Sequence, residues 1–166
     1  MNFNVPAISF GIEENCGSVS GKLEWDIREQ RFIQADIRRV FHAVSMSEYR
    51  EAWIRPPNAD DRCCIVAGQA DAAYRIELYR ANLLEASIAG LIQKWESEEM
   101  IFTWQKKPSI GSTETIVHIR LHNEAEGSAM ELVHSGFSSA ADVAWHQQLW
   151  DASLERLAWL LEGFPV

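Results

Sequence analysis

The fold is decided by residues 115–163, which read TIVHIRLHNEAEGSAMELVHSGFSSAADVAWHQQLWDASLERLAWLLEG. On both sides of residues 123–127, apolar and polar side chains alternate with period two, which predicts two antiparallel strands joined by a hairpin turn. The residues that share the inward face of this pair are Thr115, Val117, Ile119, Leu121, Ser128, Met130, Leu132 and His134. The pair therefore supplies one mainly apolar surface to a core.

The same stretch ends in a predicted long helix over residues 140–162. Ser139 and Asp142 have the spacing of an N-terminal cap, Gly163 follows the last turn, and Pro165 prevents the helix from continuing. Such a helix is roughly 35 Å long at 1.5 Å per residue. Its main apolar stripe consists of Val143, Trp150, Leu154, Leu157 and Leu161. The stripe has to pack on a large apolar surface, and the predicted sheet is the candidate.

Upstream, the sequence predicts one long strand and two short helices. Residues 22–33 are rich in strand formers, and Asp36 is placed to accept hydrogen bonds from the first amides of the helix that follows. Ser45 and Glu48 have the spacing of a capping box, which predicts a second helix that ends before Pro56. The apolar stripes of the two helices are Val40, Phe41 and Val44, and then Tyr49, Ala52 and Trp53.

Between residues 62 and 133, every clear segment alternates with period two and is bounded by turn residues. Two of these segments come before residues 115–163. The inward residues are Tyr74, Ile76 and Leu78 in the first segment, and Met100, Phe102 and Trp104 in the second. Serial strands at such close spacing predict an antiparallel meander.

These elements predict an α+β fold, in which a curved antiparallel sheet of six to seven strands wraps around the C-terminal helix. The two short helices follow the first strand. Because curvature holds the centre of a sheet away from a straight helix, we expect a hollow between them. We expect residues 21–166 to form a single domain. Residues 1–20 show neither helical nor strand periodicity, so we expect them to be a loosely ordered leader.

The composition excludes several classes of function. Fifteen Lys and Arg against 24 Asp and Glu give a net charge of −9, so we expect no nucleic-acid partner. Cys16, Cys63 and Cys64 lack the spacing of a redox or zinc motif. No apolar run approaches the length of about 20 residues that a membrane span needs, and residues 1–20 lack the basic start of a secretory signal. We therefore expect a cytoplasmic protein with no membrane partner.

The order of elements resembles the helix-grip fold of the START and birch-pollen-allergen (SRPBCC) superfamily. Within it, four segments in the right order resemble the branch named after the activator of heat-shock-protein-90 ATPase, whose bacterial members are stand-alone domains. These segments are residues 40–53 (VFHAVSMSEYREAW), 100–104 (MIFTW), 128–137 (SAMELVHSGF) and 146–161 (HQQLWDASLERLAWLL). Leu149 and the pair Ala72 and Ala73 stand where the family usually has glycines. We expect these larger side chains to narrow the space under the helix.

The resemblance implies a binding domain that holds a small hydrophobic or aromatic molecule between the C-terminal helix and the sheet, without a cofactor. The residues that we expect to line this cavity are Tyr74, Ile76, Leu78, Phe102, Trp104, Val117, Ile119, Met130, Leu132, His134 and Trp150. A second hypothesis is an enzyme that resembles the polyketide cyclases and aromatases of the superfamily. A third is a protein-interaction module linked to stress response, although we expect this chain to lack the additional domain of the family's chaperone activator. The sequence does not determine the oligomeric state, and a homodimer is one alternative.

Five polar residues carry alternative interpretations. His134 could contact or protonate a ligand, or it could be a core histidine with one polar partner. Tyr74 and Arg80 lie on the same inward face of one predicted strand, and each could orient a carboxylate or carbonyl of a ligand. Alternatively, Tyr74 is a packed ring and Arg80 is a solvated residue at the strand end. His118 lies on the same face as His122, but zinc needs three or four ligands, so we expect no metal site. No catalytic motif supports an enzyme.

Overall fold

The computed structural model describes residues 25–57, 72–108 and 114–163, which form six strands and three helices. The elements in chain order are β1 Trp25–Ile33, α1 Ile37–Ser45, α2 Ser47–Trp53, β2 Ala73–Arg80, β3 Leu83–Trp95, β4 Glu99–Lys107, β5 Thr115–Glu124, β6 Gly127–Phe137 and α3 Ala140–Glu162. The predicted leader over residues 1–20 and the three cysteines lie outside the described residues.

The six strands form one curved antiparallel sheet in the order β1-β6-β5-β4-β3-β2. The predicted hairpin joins β5 to β6, with Asn123 opposite Ser128 and Glu124 opposite Gly127. Register shifts interrupt the β1–β6, β2–β3 and β3–β4 pairings, and such bulges bend a strand and increase its twist. The predicted α+β helix-grip architecture is therefore confirmed, with six strands.

The predicted cap of the first helix is confirmed, but the predicted capping box of the second is wrong. The Asp36 carboxylate accepts hydrogen bonds from the amides of Arg38 and Arg39. The N-cap of α2 is Met46, which makes no side-chain capping bond. The Ser45 hydroxyl instead donates to the His42 carbonyl at 3.3 Å, because a hydroxyl at a helix C-terminus finds free carbonyls nearby.

The buried face of α2 also differs from the predicted stripe. Tyr49 and Ala52 are exposed, whereas Arg50, Trp53 and Ile54 are buried. The cause is a pair of side-chain bonds to the end of α1. Trp53 Nε1 donates to the Ala43 carbonyl at 3.0 Å, and Arg50 Nη2 donates to the Ser45 carbonyl at 2.8 Å. Satisfying the open carbonyls of α1 therefore decides which face of α2 turns inward.

The long C-terminal helix has the predicted bounds. The Ser139 hydroxyl accepts from the Asp142 amide at 3.4 Å, and Gly163 follows the helix with φ of 77°. Among the strands, α3 lies closest to β1, and it also packs on α2. The side chains of β2, β3 and β4 therefore have to bridge a wider gap to reach α3. No helix in the described ranges is long and apolar enough to span a membrane.

Candidate functional site

An aromatic cluster fills the gap between α3 and the β2–β4 side of the sheet. Its six members come from five elements and are Trp53, Tyr74, Trp95, Phe102, Trp104 and Trp150. The Tyr74 and Phe102 rings meet edge to face with centroids 5.7 Å apart, and Trp104 lies 5.2 Å from Trp150. These are the separations and tilts that aromatic pairs prefer.

The cluster leaves a cavity of about 10 Å³, which is about the space that one water molecule needs. Its other lining residues are Val44, Arg50, Ile54, Ile76 and Ile119. The hollow expected from sheet curvature is therefore occupied by side chains over the described residues. Leu149 on α3 is also fully buried.

Arg50 is the one cation in the described lining of this cavity, and it is only 6% exposed. Its guanidinium carbon lies 5.2 Å from the centroid of the Trp95 ring, a cation–π geometry. The sequence prediction missed Arg50 and Trp95 as site residues. For Arg50, the sequence does contain a sign of this position: it lies three residues before Trp53, and residues at this spacing share one face of a helix.

His134 points into the core beside the cluster, and both of its ring nitrogens have protein partners. Trp150 Nε1 donates to His134 Nδ1 at 3.0 Å, so this nitrogen is an acceptor and the proton resides on Nε2. His134 Nε2 lies 2.7 Å from the Thr115 hydroxyl, which in turn donates to the Trp104 carbonyl at 2.7 Å. The contacts match the core-histidine interpretation: the ring is fully buried and its nitrogens are already bonded.

His146 on α3, which the sequence prediction missed, forms a second set of contacts of the same kind. Trp104 Nε1 donates to His146 Nε2 at 3.0 Å, and His146 Nδ1 donates to the Asp142 carbonyl at 2.7 Å. Burial lowers the pKa of His146 to about 4, against the effect of the Asp142 carbonyl, which raises it. Burial, together with the nearby His146, also lowers the pKa of His134 well below its usual range. Both rings are therefore neutral acceptors for indole N–H groups.

Tyr74 lines the cavity with its ring, while its hydroxyl is bonded elsewhere. The hydroxyl donates to the Thr103 carbonyl at 2.5 Å, and burial raises the pKa of Tyr74. The ring covers Gly90, its cross-strand partner, where an added Cβ would lie 1.9 Å from the Thr103 oxygen and 2.7 Å from the Tyr74 ring. The hydroxyl is thus part of the β2–β3–β4 packing.

The structure brings together about half of the residues that we expect to line a ligand cavity. The members of that set that line the small cavity are Tyr74, Ile76, Phe102, Trp104, Ile119 and Trp150. The members that are buried in the core outside its lining are Leu78, Val117, Met130, Leu132 and His134.

The remaining polar candidates lie on the surface. Arg80 is exposed and pairs with Glu85 at 3.0 Å. His118 Nε2 lies 2.7 Å from Glu99, and hydrogen bonds from Lys94 and His118 hold the pKa of Glu99 well below its usual range. No group of three or more His, Cys, Asp or Glu side chains is placed to hold a metal ion in the described part of the chain.

Comparison with known proteins identifies one family. The model of the family described as Activator of Hsp90 ATPase homolog 1-like protein matches residues 34–162, which includes every helix and five of the six strands. No curated protein matches the chain.

Several solved structures share the fold. Protein CV1439 from Chromobacterium violaceum is 21% identical, with a TM-score of 0.75, and the match covers 83% of this chain and 97% of that one. The AHSA1 protein from Silicibacter pomeroyi is 19% identical, with a TM-score of 0.67, over 83% and 98% of the two chains. DynU16, described as a putative protein in the dynemicin biosynthetic locus, is 19% identical, with a TM-score of 0.66, over 82% and 47%.

Proposed function

The chain belongs to the family of Activator of Hsp90 ATPase homolog 1-like proteins, and from this premise we propose that it binds a small hydrophobic molecule within the aromatic cluster. A flat molecule of about the size of one or two fused rings suits the cluster best, because it replaces ring–ring contacts with equivalent ones. The site is the space between α3 and the β2–β4 side of the sheet.

The observation that supports this proposal is the way in which the gap is filled. Aromatic rings from five elements close it, and the described lining of the remaining space is almost wholly apolar, with Arg50 as its one cation. Ligand sites in proteins have this composition, a mainly apolar wall with a few polar groups. Because rings and not backbone occupy the space, a ligand can enter by displacing a side chain.

Phe102 is the side chain that a ligand can displace most easily. It is 9% exposed, whereas Trp104 is 1% exposed and its indole N–H is bonded to His146. The Phe102 ring packs on the rings of Tyr74, Trp95 and Trp104, and a phenyl side chain forms no hydrogen bond. Displacing Phe102 therefore breaks no hydrogen bond of the core. The cost of this displacement reduces the apparent affinity in proportion to the population of the open state.

Thermal denaturation with 2-naphthol tests the proposal. We expect the melting temperature to rise with ligand concentration, with a stabilisation of about 2.7 kcal/mol at a hundredfold excess over the dissociation constant. Cyclohexanol, which has a hydroxyl but no aromatic ring, should stabilise the protein much less. Equal stabilisation by the two alcohols, or none by 2-naphthol at its solubility limit, would refute binding in the cluster.

A Phe102→Ala substitution gives the matched comparison. It creates an apolar cavity without breaking a hydrogen bond, and apolar cavities of roughly 150 Å³ bind benzene-sized molecules. The variant should therefore bind 2-naphthol more tightly than the wild type, although it unfolds more easily by about 3–5 kcal/mol. Phe137→Ala is the control, because it removes a buried ring outside the cluster. Phe102→Leu is the milder variant to use if the alanine variant does not fold.

No observation favours the alternative of a cyclase-like enzyme with His134 as its acid or base. A general base has to reach the proton that it removes, and Trp150 and Thr115 occupy both nitrogens of His134. We therefore keep the binding domain as the proposed function.

A further inference from the structure

A second depression, separate from the aromatic cluster, lies on the surface between α1 and the last turn of α3. We call it the basic cleft. It has a volume of about 360 Å³, and its lining consists of Arg38, Arg39, His42, Ala43, Tyr49, Leu160 and Leu161. This volume is within the range of ligand pockets, about 300–1,000 Å³.

The cleft concentrates basic groups in a chain whose net charge is −9. Its described lining contains two arginines and a histidine and no carboxylate side chain. Arg38 and Arg39 form no ion pair with any described residue. Two guanidinium groups that have no carboxylate partner among the described residues therefore face the same depression.

Two carboxylates that flank the lining residues in the sequence, Asp36 and Glu162, are engaged with backbone groups. Asp36 accepts from the amides of Arg38 and Arg39 at 3.0 Å each. Glu162 accepts from the Gln34 amide at 3.1 Å. Arg39 Nη2 donates to the Leu161 carbonyl at 3.0 Å, which holds that guanidinium at the junction of α1 and α3.

The rest of the lining is aliphatic or aromatic. Ala43 and Leu161 are buried, at 2% and 7% exposure, while Leu160 is 41% exposed beside them. The Tyr49 ring packs on His42 with centroids 5.5 Å apart and is 39% exposed. An apolar floor with basic groups and a phenol at its edge is complementary to a molecule that has one apolar part and one anionic head.

We infer that the basic cleft binds a small amphiphilic carboxylate, a molecule with a single carboxylate and a short aromatic or branched aliphatic tail. The Arg38 guanidinium pairs with the carboxylate in the planar, two-point geometry that arginine favours. Arg39 adds positive charge from its fixed position, and Leu160 and Tyr49 contact the tail. The inference concerns a site that the proposed function does not use.

Amide chemical-shift mapping with 3-phenylpropionate tests the inference. Saturable shifts should concentrate on α1, Tyr49 and the last turn of α3. The neutral amide 3-phenylpropionamide should bind at least about tenfold more weakly, because it forms no charge-assisted pair with arginine. Arg38→Gln should weaken carboxylate binding by about tenfold and leave amide binding unchanged. Leu160→Glu, which adds a carboxylate at an exposed position, should also weaken it.

Arg28→Gln is the matched control, since it makes the same charge change at an exposed strand residue outside the cleft. Its affinity for 3-phenylpropionate should equal that of the wild type. Equal binding of acid and amide would overturn the inference, and so would equal losses in Arg38→Gln and Arg28→Gln. Shifts confined to the aromatic cluster would overturn it while supporting the proposed function. Displacement of the carboxylate by a glutamate-rich peptide at lower concentration would assign the cleft to a protein partner instead.

Discussion

The Trp150 indole on α3 donates to His134 on β6 at 3.0 Å, with the histidine nitrogen as acceptor. The reverse arrangement lies beside it, where Trp104 on β4 donates to His146 on α3, also at 3.0 Å. The helix and the sheet thus each contribute one donor and one acceptor, and the Trp104 and Trp150 rings are in contact. Two reciprocal Trp–His bonds tie the long helix to the sheet, and both require a neutral imidazole.

This requirement predicts acid sensitivity. Burial holds the pKa of both histidines below the value of about 6.5 expected in the unfolded chain. The unfolded state therefore binds more protons as the pH falls, so stability decreases below pH 6.5 and continues to decrease toward the pKa of His146, about 4. The other charged groups facing His146 are Lys106 and Asp142.

Urea unfolding at a series of pH values measures this effect. We expect the free energy of unfolding to fall by about 3 kcal/mol between pH 6.5 and 5 if both histidines contribute fully. His146→Gln should reduce the slope by about half, because one of the two titrating groups is removed. A free energy that stays constant from pH 7 to pH 5 would show that the imidazoles are not held neutral by the fold.

Thr115 gives a second test of the same network. Its hydroxyl lies between His134 Nε2 and the Trp104 carbonyl. Thr115→Val keeps the shape but leaves both groups without this partner, so it should lower the free energy of unfolding by about 1–3 kcal/mol. Thr115→Ser keeps the hydroxyl and should cost less. If serine and valine prove equally destabilising in chemical denaturation, the hydroxyl does not matter.

Gly90 should not tolerate a side chain. A Cβ at this position would lie 1.9 Å from the Thr103 carbonyl oxygen, a backbone atom that cannot move without disturbing the β3–β4 ladder. We expect Gly90→Ala to destabilise the protein by about 3 kcal/mol. Ser87→Ala on the same strand is the control and should change stability little. A melting temperature of Gly90→Ala that matches the wild type would contradict the packing of Tyr74 over this strand.

The turn between β2 and β3 offers a stabilising substitution. Ala81 and Asn82 both have positive φ, 48° and 63°, as a tight hairpin turn requires. Alanine is strained in this region and glycine is not, so Ala81→Gly should raise the free energy of unfolding by about 0.5–1 kcal/mol. Ala89→Gly, within β3, should lower it by a similar amount. A destabilised Ala81→Gly variant would count against this turn.

The sequence predicts the α3 helix well because its signals are local. Ser139 caps it, Gly163 ends it, and the apolar stripe has the period of a helix. The strands follow from their period of two for the same reason. The face of α2 could not be predicted, since Arg50 and Trp53 turn inward to satisfy carbonyls of another helix. A local pattern does not report such bonds.

The candidate site was only partly predictable. Tyr74, Phe102 and Trp104 could be placed inward from strand alternation. How completely the hollow is filled depends on how rings from five elements pack together, and no local sequence pattern encodes that packing. His146 was missed because a histidine inside a helix carries no local sign of its partner, Trp104 on β4.

Binding of an aromatic molecule among the rings of the aromatic cluster is the central claim, and intermolecular nuclear Overhauser effects measure it directly. With isotope-labelled protein and unlabelled 2-naphthol, we predict contacts from the ligand protons to the side chains of Tyr74, Phe102 and Trp104. Contacts only to surface residues, or no contacts at saturating ligand, would contradict the account.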